Sequence, residues 1–156
     1  MSRLSQWLAL SVVILVVCGT IHSQPRNDSS SKYGIIPEAV ERVEILYYPE
    51  RILTRTALTP EMLERQYKYK VEIRDFPASL QRAQLVPVLR EASFSPSPSR
   101  SYDLRTAVVL FDKSGNRMLS LYFDHSGRNG VVNREPVSTN DVVYRWAKSM
   151  TKGFAD

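Results

Sequence analysis

The sequence predicts an α+β fold: a mainly antiparallel sheet and helices packed as a two-layer sandwich, in the order strand, helix, strand, helix, three-strand meander, helix. Three observations carry this. Apolar runs at Leu104 to Phe111, Met118 to Phe123 and Gly130 to Val132 are separated by two turns of one form, Asp112-Lys113-Ser114-Gly115-Asn116 and Asp124-His125-Ser126-Gly127-Arg128. In each, the Asp can accept from the backbone ahead of it and the Gly can take the positive φ that closes a hairpin. The first run is apolar on both faces, Leu104, Val108 and Leu110 on one and Ala107, Val109 and Phe111 on the other, as in a strand covered on both sides. Near the chain's end, Val142, Val143, Trp146, Ala147 and Met150 recur at helical spacing.

In chain order, residues 1–23 have the layout of a secretory signal peptide: Arg3, an apolar run from Trp7 to Val17, then small or polar residues to Ser23. The run is shorter than the ~20 residues of a membrane-spanning helix. Leu15-Val16-Val17-Cys18-Gly19 resembles the lipobox of bacterial lipoproteins, with Leu three before the Cys and Gly after it, and departs from it at Val17, where that pattern has Gly, Ala or Ser. The resemblance implies lipidation of Cys18 and a membrane tether through that lipid alone. The residues by themselves make Cys18 part of a discarded leader, and the processed chain then has no cysteine to form a disulfide. Residues 24–32 read as a flexible polar spacer, with Asn27-Asp28-Ser29 a glycosylation acceptor if the cell is eukaryotic.

Residues 33–156 read as a single globular α+β domain. Val43, Ile45 and Tyr47 alternate with Arg42, Glu44 and Leu46 in a strand that Pro49 limits, and Ile52 to Thr56 extends the sheet or forms an edge. Thr59-Pro60-Glu61 starts a short helix ending near Arg65. Tyr67, Tyr69, Val71 and Ile73 then alternate with Lys68, Lys70, Glu72 and Arg74 in a strand with one wet face. Asp75-Phe76-Pro77 caps a helix with Leu80, Ala83 and Val86 as its apolar positions, kinked or ended by Pro87. Residues 93–101, with Pro96 and Pro98, read as a surface loop. After the meander, Pro136 to Asp141 supply capping residues for the terminal helix, and Gly153 stops it.

The formal charge of +5 falls to +4 once Arg3 is removed, and the basic residues are spread without a run. With no helix-turn-helix, zinc-finger or aromatic-basic signature, the chain is read as binding no nucleic acid. His125 is the only His outside the leader, and beside Asp124 it is the one candidate general base; as a hairpin-tip residue it is more simply part of the turn. Asp103, Asp112, Asp124 and Glu135 could supply paired carboxylates but fall at strand ends or in loops. Ser114 and Ser126 lie in no nucleophile elbow. No ligand set for a metal, no cofactor motif and no catalytic set is visible.

Loop-borne Tyr and Arg are the residue types that concentrate binding energy. Tyr48, Arg100, Tyr102, Arg105, His125 and Arg128 are therefore the expected binding residues. The expectation is an exported, non-enzymatic protein-binding domain of the bacterial envelope, periplasmic or lipid-tethered, most narrowly an inhibitor or immunity protein occluding a toxin or envelope enzyme. A structural or assembly component of the envelope and a small periplasmic hydrolase using His125 with an Asp are the alternatives.

Overall fold

The computed structural model describes Tyr33, residues 36–98 and residues 102–154. The leader, the spacer, Cys18 and Arg100 lie outside the described residues. Seven strands form one antiparallel sheet among the described residues: β1 (Arg42–Tyr47), β2 (Tyr69–Ile73), β3 (Phe94–Pro96), β4 (Leu104–Phe111), β5 (Arg117–Asp124), β6 (Asn129–Val132) and β7 (Glu135–Thr139), in the order β2-β1-β4-β5-β6-β7-β3. Three α-helices join them, α1 (Pro60–Gln66), α2 (Leu80–Glu91) and α3 (Val142–Thr151). This is an α+β fold with a mainly antiparallel sheet.

The meander forms as its turns require. Asp112 Oδ1 accepts from the Ser114 and Asn116 amides at 2.8 and 2.9 Å, and Asp124 Oδ1 accepts from the Ser126 amide at 3.0 Å. Gly115 and Gly127 sit at φ +79° and +69°. Helices α2 and α3 cover one face, where Leu85, Leu89, Val142, Val143, Trp146 and Ala147 pack on Val43, Ile45, Val108, Leu110, Leu121 and Phe123. On the other face α1 is a smaller cover, with Leu58 and Leu63 against Leu46, Leu104, Ala107 and Tyr122. Beyond α1 that face carries a charge ladder: Lys70 bonds Glu44 at 2.9 Å, Arg74 bonds Glu72 at 2.7 Å, and Arg42 lies 3.8 Å over the Phe111 ring.

Leu104 does not share a face with Val108 and Leu110 as strict alternation requires. Leu104 pairs with Asp124 but Thr106 with Phe123, so β4 has one residue too many at Arg105. That bulge turns Leu104 to the α1 side.

Several elements differ from the sequence expectation. Ile52 to Thr56 is a bend, not a strand, because its Ile52 carbonyl is taken by the Arg105 guanidinium at 3.0 Å. Tyr67 closes α1 by donating to the Leu63 carbonyl at 2.9 Å, so β2 begins only at Tyr69. Residues 93–101 contain β3, and Pro136 to Thr139 belong to β7, which β3 and β6 flank. Two-residue polar closure at Asn133-Arg134, both at positive φ, turns β6 into β7 and makes the meander four strands long. α2 runs through Pro87 to Glu91. It buries Leu85 and Leu89, while Leu80 is 85% exposed and Ala83 faces solvent, since only the former pair reaches the sheet.

Candidate functional site

A concavity of about 440 Å³ lies between α1 and the β6–β7 turn. Its α1 wall exists because Thr59 caps the helix, accepting from the Met62 amide at 3.3 Å, and Pro60 pre-sets the first turn. That places Glu61 and Glu64 toward Arg117, Ser120 and Tyr122 on β5, with Asn133 and Arg134 opposite. Asn133 is held down at both ends: its amide donates to the Ser120 carbonyl at 3.1 Å and its Oδ1 accepts from the Ser120 amide at 3.0 Å.

Glu64 is the hub. Arg117 grips it with both guanidinium nitrogens, at 2.8 and 3.3 Å, and the Tyr122 hydroxyl donates to the same carboxylate. Burial raises the Glu64 carboxyl, but the hydrogen bonds from Arg117 and Tyr122 together outweigh it and leave the group below the usual carboxylate range. Burial, reinforced by the Glu64 negative charge, pushes the Tyr122 phenol up to about 12. Glu61, at the exposed rim, is lowered by its own backbone N–H, then by the Thr59 hydroxyl and the Arg134 charge.

The residues expected to bind a partner fall elsewhere and divide. Arg105 is 6% exposed, and its guanidinium is taken by Asp103 and by the carbonyls of Pro49 and Ile52. It fastens the 49–54 segment to the sheet and offers no free surface. Tyr48 is buried beneath it, the guanidinium 5.4 Å from the ring centroid. Both are therefore corrected from binding candidates to core residues, because the bulge draws Arg105 inward. Tyr102 is half-buried and donates to the Ser97 hydroxyl. His125 and Arg128 are exposed on the β5–β6 turn, at the same end of the sheet as Tyr102, since Leu104 pairs with Asp124.

Asp124 is not poised toward His125. Its Oδ1 accepts from the Ser126 amide and hydroxyl in the turn and its Oδ2 from the Asn129 side chain at the start of β6 at 3.0 Å. Asp103 and Asp112 are likewise engaged, by Arg105 and by the Asn116 turn, and Glu135 accepts from Tyr33 at 3.4 Å. Among the described residues no three His, Cys, Asp or Glu side chains converge to hold a metal, and no helix is long and apolar enough to cross a membrane.

Glu64, Arg117, Tyr122 and Arg134 are not among the binding residues expected from the sequence. One signal was available: Asn133-Arg134 between Val132 and Glu135 is a two-residue hairpin closure, obscured because Arg stands where Gly is usual. Comparison with known protein families, characterised proteins and solved structures finds no match.

Proposed function

We propose that this chain is an exported, non-enzymatic protein-binding domain of the bacterial envelope, most narrowly an inhibitor or immunity protein that occludes a toxin or enzyme. In this reading the partner seats in the cleft between α1 and the β6–β7 turn. The supporting observation is the clasp of Glu64 by Arg117 and Tyr122. General acid–base work needs a group that titrates near the working pH. Here the carboxyl lies below its usual range and the phenol is pushed up to about 12, so each keeps one protonation state across neutral pH. A floor whose side chains already satisfy one another is preorganised for contact. Arg134 then supplies the rim, at φ +76°, a conformation that costs a non-glycine residue about 1–2 kcal/mol.

The test is capture from envelope extract with the parent protein, Arg134→Ala and His125→Ala. One stoichiometric partner is expected with the parent and with His125→Ala. Arg134→Ala should weaken it by at least about 2 kcal/mol, the hot-spot threshold, with unchanged melting. Retention by Arg134→Ala together with loss by His125→Ala moves recognition to the β5–β6 turn. A His125→Ala protein that folds and binds yet loses all biological effect turns the reading to catalysis.

A further inference from the structure

The sheet's free edge at β2 is a second surface, independent of the cleft. We propose that β2 pairs antiparallel with β2 of a second copy of this chain, about a twofold axis through Val71, so that two sheets continue as one. The two edges of the sheet are built differently. β3 is three residues long and ends in Pro96, which cannot donate to a ladder. β2 is five residues long, free of Pro and Gly, and in unbroken register with β1 from Tyr69 to Ile73. Among the described residues its backbone makes no hydrogen bond beyond that ladder.

Exposed edges are commonly blunted by charge, which repels a second strand. On β2 the signs alternate instead: Lys70 and Glu72 flank the half-buried Val71. Antiparallel pairing centred on one residue sets its two neighbours opposite each other in the other copy. Centred on Val71, Lys70 meets Glu72 twice, while Tyr69 meets Ile73 twice on the helix-covered side. Centred on Lys70 or on Glu72, the strand would set like charges face to face, which is destabilising. Centred on Val71 alone are all five residues of β2 paired and unlike charges set opposite each other, so overlap and charge together select one register. Lys70 already touches Glu44 at 2.9 Å and Glu72 at 3.5 Å, but an ammonium has three donors, and its side chain is still 32% exposed. One strand pair buries less than the ~1,200 Å² of a stable interface, so the dimer is weak.

Sedimentation equilibrium on the exported, processed protein, from about 10 μM to 1 mM, reads it directly. The parent should dimerise reversibly. K70E presents two acids and E72K two bases, so each alone should associate at least about tenfold more weakly, while an equimolar mixture of the two should regain parental association. A parent that stays monomeric throughout overturns the proposal without any variant. So do single variants that dimerise as the parent does, or a mixture that stays monomeric while both variants melt normally.

Discussion

The hydroxyl of Tyr144 donates to the backbone carbonyl of His125 at 2.7 Å, tying α3 to the β5–β6 turn. The same ring closes over Gly127: a Cβ built there would lie 2.2 Å from Tyr144 Cδ1. At Gly115, the matching position of the other turn, nothing lies within 4 Å. Two glycines of one turn motif are thus required for different reasons. Gly115→Ala should cost about 1–2 kcal/mol, the backbone penalty alone. Gly127→Ala should cost at least about 1 kcal/mol more, because it also displaces Tyr144. Equal losses in urea unfolding would show that the ring yields freely.

Trp146 lies among Leu85, Leu89 and the sheet, and Trp146→Ala should lower stability by about 3–5 kcal/mol. The buried indole N–H has no partner among the described residues. Trp146→Phe therefore forfeits volume but no hydrogen bond, and should lose clearly less than Trp146→Ala. A Trp146→Ala protein melting with the parent would mean that α3 is docked elsewhere.

Arg105→Ala should act on stability. It leaves the Pro49 and Ile52 carbonyls and the Asp103 carboxylate without their shared donor, at a cost of about 2–3 kcal/mol. Proteolysis should then begin in the 49–54 segment. A variant that melts like the parent but binds its partner poorly would return Arg105 to the recognition surface.

Tyr122 gives a pH signature. Its folded-state value of about 12 lies above that of a free phenol, so between about pH 10 and 12 the folded chain holds a proton that the unfolded chain has released. Stability contributed by this group is complete below pH 10 and is lost as pH rises through that window. Glu64 works in the opposite sense: its lowered value adds stability above the free carboxyl range, and that is lost on acidification. Tyr122→Phe should flatten the alkaline slope. Some slope remains, because burial also raises Tyr144. An unchanged slope would show that the phenol is not held protonated by its site.

What was legible in the sequence was local. Both Asp-x-Ser-Gly turns, the Thr59 cap and the terminal stripe through Trp146 are fixed by neighbours in sequence, and each forms as expected. What was illegible depended on pairing at long range. β7 contains Pro136, which argues against a strand until β6 and β3 lie beside it. α2 offers two apolar stripes, Leu80 with Ala83 and Leu85 with Leu89, and only the position of the sheet chooses between them. The same holds for the cleft, because Glu64 and Arg117 are partners across 53 positions of sequence and no spacing rule brings them together.

The place of β3 governs when this molecule can be finished. Phe94 to Pro96 are synthesised early yet pair only with Val137 to Thr139, and α2 has its partner in α3, the last helix made. A nascent chain that has reached Pro98 therefore carries Phe94 without the β7 strand it pairs with, and Leu85 and Leu89 with Val43 and Ile45 to pack on but without α3 and β4 to β7. Contacts of such separation form late and leave apolar surface open meanwhile. The helix-covered face therefore closes only after residues 137–147 are in place, however early its first half is made.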